Sequence, residues 1–325
     1  MEKPIRWGVL GCAGIARKAM LPAILSAGNA ELYAISSRTS EKLKAYAEMF
    51  PVQRTYIGYD ALLRDPEVEA VYIPLANSLH CKWVIEAIRA GKPVLCEKPL
   101  AMTAAEVAEI RRESLRCGVP VMEAFAYLHD PMTRRIVEIV SSGAIGKLRY
   151  MEANFSYFLN DKTNVRLVRE VGGGAIYDLG CYPVGFFRWL AGEEPDQIRV
   201  LGELGRETKV DENVLFQMHF PGGAVASSYC SFKTDWHTYN LILGETGSIE
   251  FPTIFDRGDR KTIRIRTAEG VAEESFDTGT RYALQVEQMG RVIRNGEAPF
   301  VSLEYSLGNA EAMDRILAAC GYCNG

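Results

Sequence analysis

Short apolar runs alternate with stretches of helical spacing through the first third of the chain. "IRWGVLG" (5–11), "AELYAISS" (30–37), "VEAVYIPL" (68–75), "PVLCE" (93–97) and "VPVMEAF" (119–125) read as strands, each short and bounded by turn residues. Between them, "GIARKAMLPAILSAG" (14–28), "TSEKLKAYAEMF" (39–50), "SLHCKWVIEAIRAG" (78–91) and "TAAEVAEIRRESLRCG" (103–118) read as helices. The first carries Ile15, Ala19 and Ile24 at helical spacing with Gly28 as its stop, and Thr39 or Ser40 caps the second. Strands alternating with helices of this length build βαβ units and a parallel sheet.

After about residue 124 the pattern changes. A helix, "PMTRRIVEIVSSG", leads into "KLRYMEANFSYF" (147–158), which alternates strictly. Met151, Ala153, Phe155 and Tyr157 fall on one face, and Glu152, Asn154 and Ser156 on the other. "NVLFQMHF", "AVASSYCSF", "YNLILG", "SIEF" and "TIRIRT" follow as strands, separated by the turns "PGG", "GETG" and "AEG". Short glycine turns join antiparallel neighbours. The helix "LEYSLGNAEAMDRILAACG" closes the chain. The expected fold class is therefore α/β, with a parallel-sheet domain over 1–124 and an α+β domain over 125–325 on an open, mostly antiparallel sheet. One face of that sheet is free for a second copy, so a homodimer or homotetramer is expected.

Composition narrows the field. A chain of 325 residues exceeds one ordinary core, in keeping with two domains. It is 48% hydrophobic and 24% charged, as soluble proteins are. The net charge of −4 gives no basis for binding nucleic acid or an anionic membrane. No run approaches about 20 apolar residues, so no membrane span is expected. The four histidines are scattered, without metal-ligand spacing, and no metal is expected. The eight cysteines are spread through the chain, and Cys320-Gly-Tyr-Cys323 reads as incidental. With no apolar leader before the first strand, reduced thiols point to the cytoplasm.

The first strand-to-helix turn is Gly11-Cys12-Ala13-Gly14-Ile15-Ala16. A glycine turn in this setting offers helix N-terminal amides to a pyrophosphate, although Ala13 and Ala16 replace the glycines of the full dinucleotide fingerprint. The second strand ends in Ser36-Ser37-Arg38-Thr39, and Glu31 stands at its opposite end. Hydroxyls and a guanidinium suit a 2′-phosphate, which places NADP ahead of NAD. The third strand leads into Leu75 and Asn77, with Asn77 or Ser78 as the helix cap and His80 in the first turn. His80 is either a satisfied surface histidine or part of the cofactor lining. "CEKPL" ends another parallel strand, so Glu97 and Lys98 sit at the sheet edge where ligands bind, next to a Pro99 that can be cis. In "REVGGGAIYDLGCYPV" (169–184), Gly172–Gly174 open a helix that carries Asp178 and Tyr182 one turn apart. These are either a proton donor and its orienter or two packed polar groups.

"GCAGIA", "SSR", "PLANSLH", "AGKPVLCEKPLAM" and "GGGAIYDLGCYPV", in this order, resemble the glucose–fructose oxidoreductase/inositol dehydrogenase (Gfo/Idh/MocA) family over nearly the whole chain. The resemblance implies a dinucleotide-binding Rossmann domain followed by a substrate-binding and oligomerisation domain. It matches Lys98 to the family's E-K-P lysine and Asp178 to its aspartate. Tyr182 stands where inositol dehydrogenase-like members carry histidine. Tyrosine there is shared with members resembling glucose–fructose oxidoreductase, NADP-linked xylose dehydrogenase and dimeric dihydrodiol dehydrogenase. "NVRLVREVGGG" resembles the family's W-R-x segment, with Val165 in place of Trp, which assigns Arg166 to the cofactor. The implied reaction is hydride transfer between nicotinamide and a carbinol or carbonyl carbon of a sugar, polyol or related diol. Tyr182 would exchange the proton, Lys98 would lower its pKa, and Asp178 would orient the substrate or the pair. A non-catalytic NADPH sensor, or a glycosidase with tightly held NAD(P), stands as the alternative. Specificity is expected from 156–164 and from 233–240, where Trp236 and His237 lie.

Overall fold

The computed structural model describes residues 3–252 and 260–322. They form two compact units, Met1–Ala126 with Thr280–Ser306, and Tyr127–Gly279 with Leu307–Gly325. The first unit is built on β1 (Ile5–Leu10), β2 (Ala30–Ser37), β3 (Arg54–Ile57), β4 (Ala70–Ile73), β5 (Val94–Cys96) and β6 (Val121–Glu123). All pairings are parallel, in the order β3-β2-β1-β4-β5-β6. The order reverses between β1 and β4, which is where open α/β sheets bind ligands, at the carboxyl ends of the strands. Trp7, Val9, Val71, Tyr72, Leu95 and Cys96 are fully buried. Strands covered on both faces must be apolar throughout, which is why they read as continuous runs.

The first helix opens in wide π-type turns at Ala16–Met20 and continues as α1 (Leu21–Ser26). It is followed by α2 (Ser40–Met49), α3 (Tyr59–Leu63), α4 (Asn77–Arg89) and α5 (Ala104–Cys117). Thr103 caps α5 by accepting the Glu106 N–H at 3.2 Å, while Glu106 accepts the Met102 N–H at 2.8 Å. β3 and α3 lie outside the sequence expectation. β3 is a four-residue edge strand whose side chains are mostly exposed, so it shows no apolar run.

The second unit is an eight-stranded sheet. It contains β7 (Leu148–Ser156), β8 (Gln197–Leu204), β9 (Asp211–His219), β10 (Val225–Ser231), β11 (His237–Gly244), β12 (Ser248–Phe251), β13 (Arg260–Thr267) and β14 (Gly270–Asp277). Their order is β14-β13-β12-β11-β7-β10-β9-β8, antiparallel except for β7 beside β10. Met151, Ala153, Phe155, Phe216, Ala226 and Ile242 line the buried face. The helices of this unit include α6 (Pro131–Ser141) and α7 (Cys181–Ala191), with Phe186 of α7 edge-on to Phe251 at 5.8 Å. Each such buried side chain contributes roughly 1.5–3 kcal/mol relative to exposure. The opposite face carries Tyr150, Glu152 and Asn154, all half-buried, as the alternation requires.

The two units do not meet at a single point in the sequence. α8 (Arg281–Asn295) packs on α1 and β2 within the first unit. There Asn29 Nδ2 donates to the Glu287 carbonyl at 2.9 Å, and Arg294 pairs with Glu69 at 3.0 Å. A boundary drawn after residue 124 cannot carry this return, because local pattern does not say which core a later helix joins. α9 (Leu303–Ala319) ends the described chain, and Cys323 of the C-x-x-C sequence lies outside the described residues. Its partner Cys320 is buried, and burial pushes that thiol up to about 12.

Candidate active site

In the first unit the glycine turn leaves β1 at Gly11, whose φ is +118° and whose N–H donates to the Ser36 carbonyl at 2.9 Å. A Cβ at Gly11 would stand 2.8 Å from Leu75 Cδ2, so both conformation and space demand glycine. At Gly14 an added Cβ would meet nothing within 4 Å. That open space lies at the start of a helix, where the first amides lack partners, and it fits a dinucleotide pyrophosphate. The turn is held from outside, because the Tyr46 hydroxyl donates to the Ala13 carbonyl at 2.8 Å. Cys12 and Ile15 are half-buried in the turn, and Ala16 is fully buried beneath it.

The end of β2 lies beside this turn. Ser36 and Ser37 are buried, and Ser37 Oγ accepts the Thr39 N–H at 3.2 Å. Arg38 is exposed and makes no ion pair among the described residues. Glu31 stands at the far end of the strand, where Gln53 donates to it. No carboxylate therefore occupies the ribose end of β2, and the residues present there fit a 2′-phosphate.

Beyond β4, Ala76 rather than Asn77 or Ser78 is the N-cap of α4, and no side chain caps it. Asn77 is the first residue of the helix. His80 is neither a surface histidine nor an open lining group. It is fully buried, with Nδ1 2.8 Å from the Pro99 carbonyl and Nε2 3.0 Å from the Leu75 carbonyl. Burial lowers its pKa. Its ring ties together the two strand-end loops expected to meet the cofactor.

The loop after β5 is anchored on every side. The Glu97 N–H donates to the Ile73 carbonyl at 3.0 Å, and the buried Tyr72 hydroxyl donates to Glu97 Oε1 at 2.7 Å. Burial and then Glu97 raise the Tyr72 pKa well above the ordinary phenol value. The Lys98–Pro99 bond is cis, and the Leu100 N–H donates to Glu123 Oε1 at 2.9 Å. Lys98 is half-buried between these fixed neighbours. Tyr72 and Glu123 carry no motif of their own, so only the fold shows their part.

In the second unit Gly172–Gly174 bring the segment 165–171 against a helix start. The Gly174 N–H donates to the Arg166 carbonyl at 2.9 Å, and a Cβ at Gly173 would stand 2.6 Å from the same oxygen. The helix opens in π-type turns at Ile176–Gly180 and continues as α7. Asp211, fully buried at the start of β9, accepts the Ile176 N–H on Oδ2 at 2.7 Å. Burial raises this carboxyl to about 7, against the pull of its backbone donors.

Asp178 accepts from Arg166 Nε at 2.6 Å and from the Tyr157 hydroxyl at 3.0 Å, both on Oδ2. Asp178 in turn raises the Arg166 pKa and keeps the guanidinium charged. Arg166, expected at the cofactor, is thus bonded to Asp178 in the second unit. Tyr182, half-buried, has its ring edge-on to Tyr127 at 5.8 Å. Tyr157 and Asp211 were not legible in the sequence, since neither stands in a motif with its partner. The two expected specificity segments run side by side, with Ser156 Oγ donating to the Asp235 carbonyl at 3.2 Å. Trp236 is 54% exposed there and lies edge-on to Phe155 at 5.5 Å. Among the described residues no cluster of His, Cys, Asp and Glu could hold a metal ion.

Residues 5–125 match the model of an oxidoreductase family with an NAD-binding Rossmann fold, and 133–250 match the GFO/IDH/MocA C-terminal domain. A D-xylose 1-dehydrogenase (NADP(+)) of Haloferax volcanii is 34% identical over 313 residues, 95% of each chain. A dTDP-3,4-didehydro-2,6-dideoxy-alpha-D-glucose 3-reductase of Streptomyces violaceoruber is 33% identical, over 96% of this chain and 92% of that one. A 3-ketoreductase from Actinomadura kijaniata, solved with NADP and TDP-benzene, superposes with a TM-score of 0.90 at 28% identity over 98% of both chains. With both halves matched in order and the sheets and turns described above, the chain belongs to the GFO/IDH/MocA oxidoreductase family.

Proposed function

We propose that the protein moves a hydride reversibly between NADP(H) and a carbinol or carbonyl carbon of a sugar, polyol or related diol. The observation that carries this reading is the Asp178 carboxyl, fixed by Arg166 and Tyr157, one turn before Tyr182 on a helix start built by three glycines. NADP, when bound, supplies or accepts the hydride. Gly11 to Ala16 and Ser37–Arg38 hold its phosphates, and Leu75, Asn77 and Glu97 shape the strand ends beside it. Tyr182 gives or takes the hydroxyl proton, and Asp178 orients the reacting alcohol. Lys98 provides the positive charge that stabilises the developing alkoxide. The relatives named as an NADP-linked sugar dehydrogenase and as sugar ketoreductases support this substrate class.

A nicotinamide fluorescence titration with NADPH and NADH, followed by absorbance at 340 nm with aldoses, polyols, ketosugars and diols, tests the reading. Tight NADPH binding with turnover on one class is expected. Tight binding with no turnover on any class would overturn it in favour of a sensor or a permanently held redox centre.

We also infer a homo-oligomer formed through the open face of the eight-stranded sheet. Leu201 and Tyr239 stand exposed on that face, in the same row as the half-buried Leu215 and Tyr229. A monomeric mass in light scattering would refute it. No helix among the described residues is long and apolar enough to cross a membrane. The seven described cysteines are free thiols, in keeping with a cytoplasmic protein.

A further inference from the structure

The C-x-x-C sequence, incidental for its thiols, holds Gly321 and Tyr322 between them. Gly321 ends α9 with a φ of +82°, in the left-handed region that favours glycine. Its N–H donates to the Ala318 carbonyl at 3.0 Å, and the Tyr322 N–H returns to the Leu317 carbonyl at 2.9 Å. This paired closure stops the helix and turns the chain, and Tyr322 beyond it is only 2% exposed.

Tyr322 docks on the segment that leads into Asp178. Its hydroxyl lies 3.3 Å from both the Arg169 and the Gly173 carbonyl oxygens and is shared between them. Its ring is edge-on to the buried Tyr177, with centroids 5.8 Å apart, and the Arg169 guanidinium stands 4.2 Å from the ring centre. Burial raises the phenol to about 12, so it keeps the proton that it donates. Earlier in α9 the buried Asn309 donates from Nδ2 to the Cys181 carbonyl at 3.2 Å. One helix thus grips the chain before Asp178 and again just before Tyr182. Gly172 and Gly174, with φ of +80° and +128°, show why a grip is needed there. Glycine loses the most backbone freedom on folding, and a run of three has no side chains of its own to pack. The turn is therefore held from outside, by Asp211 at Ile176 and by Tyr322 at Gly173.

We propose that Tyr322 is a positioning residue, a latch through which the end of α9 fixes the glycine turn and so aims Asp178 and Tyr182. The proposal rests on the hydride-transfer reading above and extends it to a residue more than a hundred positions away in sequence. The test measures kcat, substrate KM and the NADPH dissociation constant on the best substrate of the aldose, polyol, ketosugar and diol panel. It also measures amide hydrogen exchange over 169–182 by mass spectrometry, for the wild type, Tyr322→Phe and Gly321→Ala. Tyr322→Phe keeps the ring against Tyr177 and removes only the hydroxyl. Gly321→Ala leaves Tyr322 in the sequence but strains the turn that places it, since its added Cβ meets nothing within 4 Å and only the positive φ opposes it. Both variants should lower kcat about fivefold or more, with KM and the NADPH constant within about twofold. Exchange over 169–182 should quicken about tenfold, while the first unit's sheet exchanges as in the wild type. Unchanged exchange over 169–182 in Tyr322→Phe would overturn the latch. Quicker exchange with kcat within twofold of the wild type would overturn its role in turnover and leave the hydride reading standing. Quicker exchange throughout both units would show general support of the fold and would also overturn the proposal. If the wild type turns over nothing in the panel, the hydride reading falls and the proposal falls with it.

Discussion

Arg166 Nε lies 2.6 Å from Asp178 Oδ2, the same oxygen that accepts the Tyr157 hydroxyl. The residue that a motif assigned to the cofactor is therefore a partner of the carboxylate on the proposed acid–base helix. Arg166→Gln should lower kcat about tenfold to a hundredfold, because Asp178 loses the cation that fixes it. The dissociation constant of NADPH should stay within about twofold, against the weakening that a cofactor role for Arg166 requires. Fluorescence titration and steady-state kinetics on one preparation separate the two.

Tyr182→Phe and Lys98→Met should each cost about 10²–10⁴-fold in turnover, the range for a lost proton-transfer or charge-stabilising group. Both variants should still bind NADPH. Wild-type turnover in either one would remove that residue from the mechanism.

Asp211 gives a stability signature with a definite sign. Its carboxyl is raised from 3.8 to about 7 in the folded protein. The folded state thus holds a proton that the unfolded chain releases, and this contribution to stability declines as pH rises from about 4 to about 7. The full swing is on the order of 4 kcal/mol, at about 1.4 kcal/mol for each pKa unit. Thermal midpoints from pH 5 to 8 should fall more steeply for the wild type than for Asp211→Asn, which keeps an acceptor for the Ile176 N–H. Parallel curves would show that Asp211 does not titrate in this range.

Two glycine substitutions should separate support from binding. Gly174 has a φ of +128°, and a Cβ there would stand 2.0 Å from Asp211 Oδ1. Gly174→Ala should therefore destabilise the fold by about 2–4 kcal/mol, read from urea midpoints. Gly14→Ala meets nothing within 4 Å and should leave the midpoint unchanged. It should raise the NADPH dissociation constant about tenfold, since its methyl fills the space proposed for the phosphates.

Much of the architecture was legible because it is written locally. The buried strands β4 and β5 are apolar on both faces, β1 is so apart from Arg6, and β7 alternates because one of its faces is covered. β3 carries no sequence signal because an exposed edge strand has no apolar run, and the short helix α3 behind it stands in no motif.

The residues by themselves determined the parallel sheet, the antiparallel sheet, the glycine turn and the positions of Lys98, Asp178 and Tyr182. Each of these follows from periodicity or from a short motif, and such signals act over a few neighbouring residues. Only the tertiary structure decided that Arg166 serves Asp178, that Asp211 caps a helix start 35 residues away, that His80 bridges two loops and that α8 returns to the first unit. Those relationships join side chains that no local pattern links, and the burial that shifts Asp211 and His80 exists only once distant segments have packed around them.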